Sequence, residues 1–528
     1  MKYKILLLAI VVLAFILRIW QISKVPPSLS NDEISVAYDA YSIIETGKDA
    51  SGAFLPLSFK SLGDYKAPLY IYVASPFIKI LGNTELAVRL PSVIFGTLTI
   101  LVLYLLVLEV SRSNNLALLS SFLLTITPWH VYASRIASDS NLALFFVVLG
   151  AYFFFASFHK KNLLFFSALA FALSIYSYHT EKIFIPLLML VLSFAYRRSL
   201  DRKKIISFWS VFGVAVLPLI FNILFAGGGT RATTEIILND LFLRNRLYGV
   251  ANPVTAIFIF VSFWIDKYLR YIDPRFIFVS GLPIAPTYSS PEFGLMNLVS
   301  LPIFFLGILE LIKSKSKGEG NPWFYWLGIG ALVPSLTLGE TNYIRYLVAV
   351  IPLVVIVAYG FIWIKSKVKN IFYILSLILI TVNFVFFYKY YLKLFPFHFS
   401  ENWQYGYKQV AEYINKEGSK YRKIIIDPRF GVANNNFSGV PTLYLLYFNK
   451  LDPQTFLDTK KVGNEELEFM GKYYVRNVDW TKETIEKGSL YVVSVHSNPL
   501  LTQKEKLKEV YGINILDGTK AFKFYASY

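Results

Sequence analysis

The stretch PPSLSNDEISVAYDA, residues 26–40, begins a few residues after an apolar run long enough to cross a bilayer. It sets two adjacent carboxylates, Asp32 and Glu33, where the chain has just left the lipid. Locally the stretch encodes a helix start. Ser30-Asn31-Asp32-Glu33 fits a capping box with Ser30 as N-cap and Glu33 at N3, and acids in a first turn suit the helix dipole. Ile34, Tyr38, Tyr41 and Ile44 then recur at helical spacing up to Gly47, which predicts a short amphipathic helix lying in the membrane interface. Capping by Glu33 is compatible with a chemical role for Asp32.

The rest of the chain places this stretch in a polytopic membrane protein. Of 528 residues, 55% are hydrophobic and only 16% charged, far less charge than a soluble chain of this size exposes. Eleven stretches are long and apolar enough to cross, near residues 4–22, 91–109, 116–132, 140–158, 163–178, 182–196, 205–225, 297–312, 323–338, 346–364 and 370–388. The net charge of +18 lies in short Lys/Arg clusters between these runs, which argues against a nucleic-acid partner. If every stretch crosses, the clusters fall on one side, so the N-terminus is expected in the cytoplasm and the C-terminus outside the plasma membrane. The first apolar stretch lacks a small-x-small cleavage site and reads as a retained helix. Without cysteine, neither a disulfide framework nor a thiolate metal site can form.

Two domains are expected: a membrane domain, residues 1–388, with long outer loops at 23–90 and 226–296, and an extracytoplasmic α/β tail, residues 389–528. In the first loop PLYIYVASPFIKIL reads as a second interfacial helix between Pro68 and Gly82. In the second, PVTAIFIFVSFWI reads as a re-entrant or interfacial helix, or as a twelfth crossing that would break the charge pattern downstream. In the tail WQYGYKQVAEYINKEG reads as an amphipathic helix, KIIID, KYYVRNV, SLYVVSV and AFKFYAS as strands, and PLLTQKEKLKEVY as a helix between two of them.

Several charged residues fall at the outer membrane boundary. Lys66 precedes the second interfacial helix, Arg135 and Asp139 sit at the mouth of the fourth crossing, Arg345 at that of the tenth, and Arg18 near that of the first. Each has an ordinary role as a snorkelling chain, helix cap or interfacial anchor. Together, acids and bases at one depth suggest a site for a ligand with a lipid tail and an anionic head. His130 and His179, with Asp139 or Glu181, would be the residues for a metal, but no ligand spacing supports one.

NDE at 31–33, GDYKAPLYIYVASPFIKILGNTELAVRLPS at 63–92 and RIASDSNL at 135–142 resemble the GT-C glycosyltransferases, in the branch of the bacterial protein O-mannosyltransferases and lipid A aminoarabinose transferases. The likeness continues weakly in DPRFIFVSG and NYIRYLVAVIPLVVIVAYG and thins out in the tail. The resemblance implies a polyprenyl-phosphate sugar as donor partner, Asp32 as the essential acid with Glu33 its neighbour, Lys66 and Arg345 as donor-phosphate ligands, and Asp139 with Arg135 in support. The chain departs from the pattern in reading KAP where many relatives have KPP. The oligosaccharyltransferase motif WWDxG is missing, and NWQYG at 402–406 only echoes it.

The chemistry is coherent on its own terms. A phosphate leaving group can be clamped by cationic side chains, so no metal or other cofactor is demanded. An acceptor hydroxyl needs a base, which one carboxylate supplies, and a single displacement inverts the anomeric carbon. A transporter or flippase for a lipid-linked glycan would place its charges at mid-bilayer in repeated halves. A glycan polymerase or ligase would use arginines of a large outer loop, for which Arg231, Arg244, Arg246 and Arg275 are available.

Overall fold

The computed structural model describes residues 1–61, 64–225, 234–280, 292–313, 321–463 and 466–528. The principal helices are α1 (Lys2–Ile19), α2 (Asn31–Thr46), α3 (Leu69–Leu81), α4 (Glu85–Ser111), α5 (Asn114–Thr125), α6 (Asp139–Ala156), α7 (Leu163–Ser177), α8 (Glu181–Ala195), α9 (Arg202–Phe225), α10 (Pro253–Ile272), α11 (Ser300–Lys313) and α12 (Pro322–Ser335), followed by α13 (Tyr343–Lys367), α14 (Asn370–Lys393), α15 (Tyr407–Glu417), α16 (Pro441–Phe448) and α17 (Pro453–Thr459). Each of the eleven apolar stretches falls on helix. The third is broken at Ile126-Thr127, where Pro128 opens a short helix of its own. Among the described residues five helices, α4, α6, α9, α13 and α14, are long and apolar enough to cross a membrane.

The molecule divides into two compact units. One unit holds residues 1–20, 63–70 and 91–389; the other holds 21–62, 71–90 and 390–528. Most of the stretch 23–90, all but residues 63–70, is thus part of one body with the tail.

In the first unit α13 is the central helix, buried along most of its length. Its closest crossing is with α11. A Cβ at Gly307 would stand 1.8 Å from Ile356 O, and one at Gly360 would stand 2.0 Å from Ile303 O. Small residues let two backbones approach where no hydrophobic force separates lipid from protein. The stretch expected to be interfacial, α10, is a 20-residue helix with Asp266, Lys267 and Arg270 in its C-terminal half.

In the second unit a seven-stranded mixed sheet is formed by β1 (Lys423–Ile426), β2 (Lys461–Val462), β3 (Glu466–Phe469), β4 (Tyr473–Arg476), β5 (Ser489–Ser494), β6 (Leu507–Asn514) and β7 (Lys520–Ser527), in the order β6-β7-β5-β1-β4-β3-β2. Only β1 pairs in parallel, with β4 and β5 on its two sides. The four expected strands and the helix α15 are present. PLLTQKEKLKEVY, however, is no helix: a single turn at Leu501–Gln503 leads into β6. Lys and Glu favour a helix locally, but Leu507 and Ile513 are buried by pairing with β7, and Tyr511 stacks on Tyr413 of α15 at 4.6 Å. Non-local pairing wins, and the charges end on an edge strand, where they discourage further pairing.

Helix α2 ends where its sequence says, with Gly47 at φ 71°. It is not, however, a half-exposed interfacial helix. Every residue from Glu33 to Ser42 is buried, and tail helices cover the Tyr38–Tyr41 face that was expected to meet the lipid. Tyr41 meets Tyr447 of α16 edge-on at 6.4 Å, and Tyr38 meets Phe456 of α17 at 6.1 Å. Lys460 Nζ reaches Ala50 O at 3.0 Å.

Phe456→Ala is therefore expected to destabilise this unit by about 3–5 kcal/mol, as for a large core truncation, and to speed proteolytic cutting of the loop at residues 47–54. Limited proteolysis with mass detection checks this. Unchanged protection of that loop, with a destabilised tail, would mean that the two fold separately.

Candidate active site

The paired acids part company at the start of α2. Glu33 forms both halves of the capping box: its backbone N–H donates to Ser30 Oγ at 3.3 Å, and Ser30 N–H donates to Glu33 Oε2 at 3.1 Å. The same carboxylate takes a bidentate pair of bonds from Arg89, Nε to Oε1 and Nη2 to Oε2, both at 2.9 Å. The two side chains are 2% and 0% exposed. Arg89 Nη1 also donates to Ile22 O and Pro26 O at 2.9 Å, and Nη2 to Ser28 O at 2.5 Å. The guanidinium lies 5.8 Å from the ring centre of Trp403. All five N–H donors are used. Glu33 is thus a buried acid held in the cap and the Arg89 pair. Asp32, one residue earlier, is exposed at position N2 of the helix.

The chain just before the box is held from the tail. Tyr444 donates to Leu29 O and lies 3.4 Å from Ser28 Oγ. Burial pushes its phenol above the usual tyrosine range, so it stays a donor throughout the physiological pH range. Lys408 Nζ meets Glu85 at 2.7 Å at the start of α4.

The other expected residues belong to the first unit. Asp139 is half-buried at the first position of α6, where Oδ1 accepts from Ser140 N–H at 2.9 Å. Arg135 is fully buried and donates to Leu17 O at 3.0 Å and Arg18 O at 2.9 Å, the terminal carbonyls of α1. In this position it caps the end of α1. Arg18 is also buried, not a surface anchor, and its Nη2 lies 2.8 Å from His130 Nδ1. Among the described residues no three His, Asp or Glu side chains converge as a metal would require.

Lys66 and Arg345 come to one neighbourhood. Beside Lys66, Tyr65 O lies 2.8 Å from His179 Nε2, and His179 Nδ1 lies 3.1 Å from Lys182 Nζ. His179, Lys182 and Arg345 line a cavity of about 340 Å³ whose remaining wall is largely apolar, with Ile223, Ile236 and Phe260 in it. Arg345 Nη2 donates to Glu235 Oε2 at 2.7 Å and Nη1 to Leu338 O at 3.3 Å. The cavity thus combines an oily wall with basic side chains, a chemistry suited to an amphiphilic anion.

Of the outer-loop arginines, Arg231 lies outside the described residues. Arg244 and Arg246 are exposed, and Arg275 is exposed and pairs with Asp273 at 2.7 Å.

A family model described as dolichyl-phosphate-mannose-protein mannosyltransferase matches residues 65–221. An uncharacterized protein of Aquifex aeolicus (strain VF5) is 33% identical over 121 residues, 22% of this chain and about a quarter (24%) of that relative's length. The crystal structure of ArnT from Cupriavidus metallidurans bound to undecaprenyl phosphate is similar over 99% of this chain and 98% of its own, with TM-score 0.55 and 12% identity. The Archaeoglobus fulgidus oligosaccharyltransferase in complex with Zn and sulfate is similar over 99% of this chain and 73% of its own, with TM-score 0.53 and 13% identity. The fold is that of the GT-C glycosyltransferases, as the sequence resemblance expects. The segment that matches the dolichyl-phosphate-mannose-protein mannosyltransferase model carries Lys66, Arg89, Asp139 and His179.

Sequence reasoning overlooked Arg89, Lys182 and Glu235. Arg89 carried a usable signal: an arginine two residues before Pro91 at the start of a crossing, where a charge must find partners. The other two carried none, since their partners are distant in sequence.

Arg89→Met should cost about 3–5 kcal/mol by stranding the buried Glu33 carboxylate. Adding Glu33→Gln should recover much of that loss, because Gln keeps the cap without the charge. Thermal unfolding of the two variants checks this. A double variant no more stable than Arg89→Met alone would show that the lost contacts to Ile22, Pro26 and Ser28 dominate.

Proposed function

We propose that this chain is a membrane glycosyltransferase that moves a sugar from a polyprenyl-phosphate donor to a hydroxyl of a protein, lipid or polysaccharide acceptor on the extracytoplasmic face. The observation that carries this reading is the cavity lined by Arg345, Lys182 and His179 among largely apolar residues, in a fold whose neighbour ArnT was solved with undecaprenyl phosphate bound. The wall suits the first isoprene units, and the cations suit the phosphate. Lys66, one residue beyond the carbonyl that meets His179, is the further phosphate ligand.

In the reaction the acceptor oxygen attacks the anomeric carbon as the bond from that carbon to the phosphate oxygen breaks. The phosphate leaves with the electron pair, stabilised by the cationic side chains. The acceptor proton passes to Asp32, and the configuration at the sugar inverts. Asp32 is suited to this role by what Glu33 is not: it is solvent-accessible on a helix start that the Glu33–Arg89 pair holds rigid. Asp139, with the dipole of α6 behind it, is the supporting acid. In this reading eleven helices cross, the N-terminus is cytoplasmic, and the unit made of the first outer loop and the tail is extracytoplasmic.

Asp32→Asn should leave thermal stability near wild type, because Asn is accepted in a first helical turn. It should lower kcat at least ~100-fold, the lower end for a lost general base, with a smaller effect on KM. Turnover by a purified chain with a polyprenyl-phosphate sugar measures this. Normal turnover by Asp32→Asn would leave the pair as a helix start only.

Sidedness is tested with single cysteines, which the chain itself lacks. In intact cells Ser419→Cys should react with an impermeant maleimide and Ser199→Cys, beside Arg197 and Arg198, should not; both positions are exposed. The opposite labelling would reverse the topology.

A further inference from the structure

Residues 234–239 pass along the rim of the cavity and bring an acid to the place where a phosphate would bind. Glu235 Oε2 accepts from Arg345 Nη2 at 2.7 Å. The backbone around this acid is fixed. Leu338 N–H donates to Glu235 O at 2.8 Å, Ile237 N–H donates to Leu336 O at 2.9 Å, and Ile236 and Thr337 form an antiparallel bridge. Just beyond, Asp240 faces Lys267 Nζ at 3.8 Å, and that ammonium donates to Thr337 O at 2.7 Å. The segment is thus tied to the end of α12 at several points, and Glu235 can leave Arg345 by rotating its side chain alone. It also has somewhere to go. The Arg345 and Glu235 side chains are 15% and 38% exposed, against 0% and 2% for Arg89 and Glu33. The Arg89–Glu33 pair is locked; the Arg345–Glu235 pair is open to water.

We propose that Glu235 is an internal competitor for the donor phosphate. It occupies the Arg345 guanidinium while the cavity is empty and is displaced when a polyprenyl phosphate binds. The proposal rests on the reading that this cavity takes the donor. A guanidinium presents the same fork to a carboxylate and to a phosphate, so the exchange replaces one paired anion by another and never leaves a bare cation at the rim. The benefit lies in release. Transfer turns a phosphodiester donor, with one negative charge, into a phosphomonoester that carries up to two. The product is therefore the tighter anion for a cationic site, and a tethered carboxylate that returns to Arg345 helps to expel it.

The test is equilibrium binding of undecaprenyl phosphate to the purified full-length chain in nanodiscs. Glu235→Gln should tighten binding about tenfold, and Arg345→Ala should weaken it about tenfold, each equivalent to roughly 1.4 kcal/mol. In an Arg345→Ala background Glu235→Gln should have no effect, because the two act through one contact. Glu235→Ala should tighten binding as well, which covers the case in which Gln still bonds to Arg345. If Arg345→Ala weakens binding but neither Glu235 variant tightens it, competition is overturned and the donor cavity stands. If Arg345→Ala leaves binding unchanged, the cavity is not the phosphate site and both fall together.

Discussion

The guanidinium of Arg89 is the point from which the ordered first outer loop is built. Its five N–H groups reach Glu33 and the carbonyls of Ile22, Pro26 and Ser28. The chain between residues 22 and 33 is therefore wrapped around one planar cation rather than packed by side chains alone. A lysine offers three donors and no plane, and could not make this set. Trp403 beneath the guanidinium and Tyr444 on Leu29 O bring the tail into the same knot. The tail accordingly is not an appendage. It supplies the walls against which the acid-bearing helix is buried.

A second pair of arginines solves a different problem in the other unit. The last carbonyls of a helix lack intrahelical N–H donors, and in an apolar setting an unsatisfied carbonyl costs more than in water. Arg135 satisfies those of Leu17 and Arg18, and Arg18 turns back to Ala14 O and across to His130. Tyr388 adds a bond to Leu17 O at 2.9 Å. These cations are bound mainly by backbone dipoles, so their conspicuous position at a membrane mouth reflects the end of α1 and not a ligand.

What could be read from the sequence follows the range of the forces involved. The capping box, the Gly47 stop and the apolar runs are local patterns, and each lies where the residues place it. The strands around Ile424–Ile426 were legible because their apolar residues need burial whatever their partners. β6 was not, since its Lys and Glu residues speak for a helix and only β7 decides otherwise. The burial of the whole of α2 was equally hidden, because its cover arrives some 400 residues later in Tyr447 and Phe456. Lys66 and Arg345 were found through a family pattern. The apolar wall and the Glu235 contact beside them depend on segments from α8 to α12 that only the fold assembles.

The two acids of the opening stretch show how one helical turn separates roles that the sequence leaves joined. Successive residues of an α-helix are rotated by about 100°, given roughly 3.6 residues per turn. With Ser30 as N-cap, Asp32 is N2 and Glu33 is N3. N3 is the position from which a side chain reaches back to the N-cap N–H, and here that face also looks inward onto Arg89. Rotation then leaves N2 on the outer side, where Asp32 is exposed. Exchanging the two residues would not conserve this arrangement. An aspartate at N3 is one methylene shorter, and could not both cap Ser30 and meet the Arg89 fork, while a glutamate at N2 would hang from a longer, more mobile stem. The order Asp-Glu is the one that makes the second acid rigid and, through it, fixes the backbone that carries the first.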